Sequence, residues 1–252
     1  MIFALLALAI APGLGIMFFI YFKDKYEKEP FHLMLKCFLF GILAIVPAVI
    51  VELASGLDGH KEIWIVAIYA FAIVGFSEEF SKYFFLRVFA FRKKDFNEPF
   101  DGIVYSVMIS MGFATAENIL YVLQGGLGTG LLRMFTAVPA HASFAILMGY
   151  FVGLAKFKEK RFLYLSLGLF SAVIFHGFYD FFLLQADYDL LKLMALVALI
   201  LAIILSFKAM KKNRELSPFK NGPVTEPIPS EHTVPAEESP AESAVDEGAK
   251  KD

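Results

Sequence analysis

The stretch that decides the fold lies at residues 75–85 and reads GFSEEFSKYFF. Two adjacent glutamates, Glu78 and Glu79, and Lys82 stand in a run that is otherwise almost entirely apolar, since the only further charged side chain in residues 63–91 is Arg87. A run of this length is typical of a membrane-spanning helix, where a charged side chain is costly. Two carboxylates inside a membrane therefore require a reason.

The rest of the chain has the same apolar character. Its 252 residues are 58% hydrophobic, and the mean hydropathy is +0.64. Seven apolar blocks are each about long enough to cross a bilayer as a helix: residues 2–22, 31–51, 63–91, 103–124, 134–154, 162–185 and 190–207. The sequence therefore predicts an all-α, polytopic membrane helix bundle of about seven transmembrane helices in a lipid bilayer. The single cysteine, Cys37, excludes an internal disulfide.

The connecting segments indicate how the helices are oriented. The segments after blocks one, three, five and seven are rich in Lys and Arg, whereas the others carry one basic residue apiece: Lys61, Arg133 and Lys192. The positive-inside rule then places the N-terminus outside and the C-terminus in the cytoplasm. Residues 1–214 form the predicted membrane domain. Residues 215–252, rich in Pro, Glu and Ser, are expected to be a disordered acidic cytoplasmic tail.

Further ionisable residues lie well inside the later blocks: Glu117, His141, His176 and Asp180. His176 and Asp180 are four residues apart, as are Glu78 and Lys82, so each pair shares one helix face. Measured from the predicted cytoplasmic anchors, Glu78, Glu117, His141 and His176 all lie at about 21–24 Å, given a helical rise of ~1.5 Å per residue. The sequence therefore predicts that four helices bring their ionisable groups to one layer, in the outer half of the membrane, around a polar pocket.

Such a set can activate water in two ways, and the residues alone leave both open. In the first, Glu78 or Glu79 acts as a general base and a histidine stabilises the oxyanion. In the second, Glu117, His141 and His176 hold Zn²⁺ with an open position for water. Asp180 would fix the tautomer of His176 in either case, and Lys82 would balance the local negative charge.

Structural and non-hydrolytic roles compete with this hypothesis. Glu78 and Lys82 alone would serve as a packing ion pair, and His141 alone as a core histidine. As a set, the residues also suit a proton-coupled transporter that uses them as a relay, or a non-catalytic receptor that binds a partner helix. The sequence has no HExxH motif, no phosphate-binding loop and no basic-aromatic surface, so a nucleic-acid partner is not expected.

Several segments resemble the PrsW family of bacterial membrane proteases, which is related to the CaaX-processing and bacteriocin-immunity proteases. The segments are YFKDKYEKEP at 21–30, EEFSK at 78–82, FDGIVYSVMISMGFATAENILYV at 100–122, PAHASFAILMGYFVGLAKF at 139–157 and HGFYDF at 176–181. The EExxK, FxxxE and HxxxD patterns of the family fall on Glu78-Glu79-Lys82, Phe113-Glu117 and His176-Asp180. The resemblance covers residues 1 to about 214.

The resemblance implies a multi-pass peptidase of the bacterial plasma membrane. Its catalytic residues would be Glu78, Glu79, Glu117 and His176, supported by Lys82, His141 and Asp180. Its substrate would be a single-pass membrane anti-sigma factor, which receives its first (site-1) cut on the extracytoplasmic side in a stress-response cascade. The family resemblance favours a metalloprotease, whereas a metal-free glutamate mechanism is equally compatible with the residues.

Overall fold

The computed structural model describes residues 2–185 and 189–222, and within these ranges every regular element is helical. The main helices are α1 (Ile2–Lys23), α2 (Phe31–Ser55), α3 (Ile63–Ile68), α4 (Phe76–Val88), α5 (Pro99–Phe135), α6 (Ala137–Phe157), α7 (Arg161–Leu183) and α8 (Asp189–Glu215). A π-helical turn, Tyr69–Gly75, joins α3 to α4. Short 3₁₀ turns follow α4 at Ala90–Arg92 and α8 at Pro218–Asn221. The predicted all-α class is confirmed.

Six helical stretches of the described chain are long and apolar enough to cross a membrane, and the fourth of them, Pro99–Phe157, contains both α5 and α6. Blocks four and five of the sequence fall on these two helices, which pack against each other. The backbone at Gly126 has φ 71° and ψ −159°, outside the helical region, so α5 is broken there. The predicted count of about seven membrane-spanning helices and the predicted orientation of the termini stay predictions.

Helices α5 and α6 form the centre of the bundle. Every residue of α5 from Pro99 to Thr115 is buried, as are most of those in α6. The two helices touch through glycine, because a Cβ on Gly102 would lie 2.4 Å from the carbonyl oxygen of Gly149. Helix α2 approaches α5 as closely, with a Cβ on Gly112 falling 2.0 Å from the carbonyl oxygen of Phe38. Small residues therefore bring these backbones into contact, as is common between membrane helices.

The outer helices cover this pair and direct large apolar side chains outward. Phe3, Leu53 and Phe162 are 82%, 79% and 84% exposed. A surface of this kind suits acyl chains rather than water.

The start of the predicted tail is helical: Glu215 belongs to α8, and Pro218–Asn221 forms a 3₁₀ turn. Residues 223–252 of this tail lie outside the described residues, and the division into a membrane domain and a disordered cytoplasmic tail stays a prediction.

Candidate functional site

The two adjacent glutamates stand in the first turn of α4, directly after the π-helical turn. Gly75 and Gly177 let α4 approach α7, because a Cβ on Gly75 would lie 3.3 Å from the backbone nitrogen of Gly177. π-Helical turns are rare in proteins, and those that occur are often found at functional sites. This close crossing brings Glu78 and Glu79 against His176, the residue before Gly177.

Glu79, His176 and Asp180 form a chain of polar contacts between α4 and α7. The Nδ1 atom of His176 lies 2.8 Å from Oε1 of Glu79, and its Nε2 atom lies 3.1 Å from Oδ2 of Asp180. The ring stacks on Phe144 of α6, with centroids 5.1 Å apart. Because both ring nitrogens face carboxylate oxygens, His176 satisfies both contacts as a donor when it carries both protons.

Lys82 lies at the centre of the group. Its Nζ atom is 3.0 Å from Oε2 of Glu78, 2.8 Å from Oε1 of Glu79 and 3.2 Å from Nδ1 of His141. The side chain is 2% exposed, and Nζ lies 4.0 Å from the centroid of the Phe113 ring. An ammonium group has three hydrogen-bond donors, and these three contacts use all of them.

Glu117 of α5 completes the group through His141 of α6. Its Oε2 atom lies 2.9 Å from Nε2 of His141 and accepts a hydrogen bond of 2.7 Å from Nη2 of Arg133. Since the Lys82 ammonium can only donate, Nδ1 of His141 must accept, and the proton of a neutral His141 ring is on Nε2 and points at Glu117. The network therefore orients both imidazole rings.

Arg133 was not identified as a site residue from the sequence, where it counted only as a loop charge. In a straight helix its Cα would lie about 24 Å from that of Glu117, sixteen residues earlier. The break at Gly126 reverses the chain instead, so Arg133 reaches both Glu117 and, at 2.7 Å, the side-chain oxygen of Asn118. The glycine-rich run QGGLGTG at 124–130 is the only sequence signal of this reversal.

The donor set suits a metal ion. One ligand atom each from Glu78, Glu79, His141 and His176 lies within 4.8 Å of the other three, and all four residues are buried. Two carboxylates and two imidazoles are ligands of the zinc type. The Oε2 atom of Glu79 is buried and has no hydrogen-bond partner, which fits an atom that binds a water or an ion. The Lys82 ammonium contacts three of these residues, Glu78, Glu79 and His141, so an ion and this ammonium would compete for them.

This group shares two histidines with the zinc ligands predicted from the sequence and differs in its carboxylates. It contains His141 and His176, but Glu78 and Glu79 replace Glu117, which contacts His141 and Arg133 instead. The predicted ligand set stays a prediction.

Comparisons with known proteins identify the family. The family model described as "PrsW family intramembrane metalloprotease" matches residues 29–207. A protein named "Protease PrsW" from Geobacillus kaustophilus is 39% identical over 186 residues, which cover 73% of this chain and 82% of that protein. Proteins of the same name from Bacillus subtilis and Clostridioides difficile are 34% and 35% identical, over 72% and 81% of this chain and 83% and 87% of theirs. No solved structure matches the chain.

The site and the fold agree with these relatives. Six apolar helical stretches make this a multi-pass membrane protein, located in bacteria in the plasma membrane. Its buried glutamates and histidines lie within those stretches. The chain therefore belongs to the PrsW family of intramembrane proteases and hydrolyses peptide bonds.

Proposed function

We propose that this protease makes the first, extracytoplasmic-side cut in a single-span anti-sigma factor, with Glu79 as the general base. The observation that carries the assignment of Glu79 is its unpartnered Oε2 atom, next to an Oε1 atom held by Lys82 and His176. A carboxylate fixed on one oxygen and open on the other is placed to accept a proton from water. Glu78 lies beside it and shares the Lys82 ammonium.

The proposed reaction needs only groups that the site contains. Oε2 of Glu79 takes a proton from water as the water oxygen attacks the peptide carbonyl carbon. The negative charge that develops on the carbonyl oxygen is stabilised by the positive charge of the Lys82 ammonium, whose N–H groups stay on Glu78, Glu79 and His141. The carbon–nitrogen bond then breaks, and the proton moves from Glu79 to the leaving amine. Glu117 and Arg133 keep His141 oriented beside this centre.

A metal ion fits the same residues. Glu78, Glu79, His141 and His176 would hold it, and the family description as a metalloprotease supports this assignment. A bound Zn²⁺ would act as a Lewis acid and lower the pKa of bound water. Glu117 would then orient His141 by accepting its Nε2 proton, as carboxylates beside metal-bound histidines commonly do.

The proposed substrate follows from the family resemblance and from depth. With the N-terminus outside, four site residues lie about 21–24 Å from the cytoplasmic ends of their helices, in the outer half of a ~30 Å core: Glu78, Glu117, His141 and His176. A site at this depth can reach a single-span substrate near its extracytoplasmic boundary. Family membership favours this function over the transporter and the receptor, which the residue set alone would also suit.

The test is to incubate the purified chain in liposomes with a single-span anti-sigma factor and to identify the new termini by mass spectrometry. We expect one cut in the extracytoplasmic third of the span or just outside it. A parallel sample, stripped of metal and then given Zn²⁺, measures metal dependence. Cleavage on the cytoplasmic side, or cleavage of other single-span proteins but not of the anti-sigma factor, would contradict the proposal.

A further inference from the structure

A group of basic side chains lies at the opposite ends of the helices from the catalytic group, on the predicted cytoplasmic side. Arg87 belongs to the last turn of α4, Lys156 to the last turn of α6, and Arg161 is the first residue of α7. All three approach the ring of Phe91, which is buried in the 3₁₀ turn after α4. Their cationic groups lie 4.6, 5.4 and 4.8 Å from the centroid of that ring.

The lysine of this group has partners of its own. Nζ of Lys156 donates to two backbone carbonyl oxygens, at 2.7 and 3.0 Å, and the negative charge of Asp101 acts on it. The arginines differ, because no ion pair includes Arg87 or Arg161 within residues 2–185 and 189–222. The charges that act on Arg87 are those of Arg161 and Arg92, and both repel it. Two half-buried positive charges therefore lie together with no anion to balance them.

Arg161 gives the clearest sign that an external group binds here. Its Nε atom is buried and has no hydrogen-bond partner. An arginine that only anchored its helix at the membrane surface would extend its guanidinium group into water. The ring of Phe91 attracts the positive charge but supplies no oxygen acceptor for the N–H groups. Since buried donors in folded proteins are nearly always paired, this atom indicates a bound acceptor.

We propose that Arg87 and Arg161 bind the phosphate of an anionic phospholipid, such as phosphatidylglycerol, in the cytoplasmic leaflet of the membrane. Both guanidinium groups lie against the same ring, close enough for one phosphate to bind both, and the guanidinium fork matches phosphate oxygens. Tyr83, one turn before Arg87 in α4, interacts with both arginines, and its hydroxyl can donate to the same phosphate. Basic pockets between membrane helices on the cytoplasmic side are known to bind such headgroups.

The surroundings of the arginines fit a lipid rather than free phosphate. Val88 directly follows Arg87 and is 41% exposed, and Phe162 directly follows Arg161 and is 84% exposed. Phe84, one turn before Val88, is 48% exposed. These apolar side chains provide a surface beside the arginines on which the acyl chains of a lipid held by its phosphate would lie.

Such a lipid would join the end of α4 to the start of α7. Helix α4 carries Glu78 and Glu79, and α7 carries His176. The bound lipid therefore stabilises the packing of two helices that build the catalytic group, and it takes no part in hydrolysis. Its binding does not depend on which substrate the protease cleaves.

The experiment measures the dissociation constant of phosphatidylglycerol by native mass spectrometry of the full chain, released from a neutral detergent. Phosphatidylcholine with the same acyl chains and inorganic phosphate are titrated in parallel. Wild type and the catalytic-site variant Glu79→Gln are both expected to bind phosphatidylglycerol about tenfold more tightly than phosphatidylcholine. Arg87→Gln and Arg161→Gln are each expected to weaken phosphatidylglycerol binding about tenfold, because a hydrogen bond between charged groups is lost.

Lys94→Gln is the matched control. It removes one positive charge from an exposed side chain on the same predicted side of the membrane, outside the group around Phe91. It is expected to keep the wild-type affinity within about twofold, since exposed charges are screened by salt. If Arg161→Gln does not fold, Arg161→Lys replaces it. That variant keeps the charge but not the fork of donors, and it is expected to bind about threefold more weakly.

Three results would overturn the proposal. Equal affinity for phosphatidylglycerol in wild type and in both arginine variants would place the lipid elsewhere. Equal affinity of wild type for the two lipids would mean that the arginines only anchor their helices. Binding of inorganic phosphate as tight as that of phosphatidylglycerol would assign the site to a free anion. Because the readout is lipid binding, none of these results bears on the proposed peptidase activity.

Discussion

Glu79→Gln is expected to reduce peptide cleavage by about 10²–10⁴-fold, the range for loss of a general acid–base group. Glutamine has nearly the shape of glutamate, so its amide oxygen can replace Oε1 as the acceptor for Lys82 and His176. It cannot accept a proton from water. The measurement is the single-turnover rate of cleavage of a single-span substrate in liposomes, at equal amounts of folded protein.

Glu62→Gln is the matched control for this experiment. Glu62 is an exposed carboxylate that directly precedes α3, and it contacts His60 outside the catalytic group. We expect this variant to retain most of the wild-type rate. A Glu79→Gln protein that cleaves at more than about a tenth of that rate would remove Glu79 from the role of general base.

Lys82→Met is expected to destabilise the folded protein by about 3–5 kcal/mol and to abolish cleavage, because breaking a buried ion pair leaves its partners uncompensated. Methionine keeps much of the length of the lysine side chain but removes its charge. Glu78 and Glu79, 4% and 1% exposed, would then be buried side by side without a cation. Nδ1 of His141 would also lose its donor. The free energy of unfolding in mixed detergent measures the effect.

The double variant Lys82→Met/Glu78→Gln separates charge from packing. Removing one of the two unpaired carboxylates should recover part of the lost free energy of unfolding. Lys211→Met is the matched control, since the Lys211 side chain is 75% exposed and forms only a long ion pair, 4.0 Å, with Glu215. If the double variant were less stable than Lys82→Met alone, the loss would come from packing and not from uncompensated charge.

The sequence predicted the helices and their polar layer because both depend on local features of the chain. Long apolar runs specify membrane helices, and a fixed rise per residue converts the positions of Glu78, Glu117, His141 and His176 into depth. In the structure His141 lies 2.9 Å from Glu117. Glu78 lies 4.0 Å from His141 and 3.9 Å from His176.

The features that escaped the sequence depend on backbone breaks and on contacts between distant segments. Arg133 reaches Glu117 only because Gly126 has a positive φ, which the helical rise does not reveal. Arg87 and Arg161 lie far apart in the chain, and their meeting at Phe91 was not predicted. It depends on how α4 packs against α7. Contacts of this kind follow from the tertiary structure and not from local pattern.

The most direct test of the central claim is a double-mutant cycle between Glu79→Gln in α4 and His176→Ala in α7, measured as single-turnover cleavage with enzyme in excess. Residues that act as one catalytic unit show strongly non-additive effects. We predict that the double variant cleaves no more than about threefold more slowly than the slower single variant. If the two losses multiply instead, the carboxylate and the imidazole act independently, and the buried group is not a single hydrolytic centre.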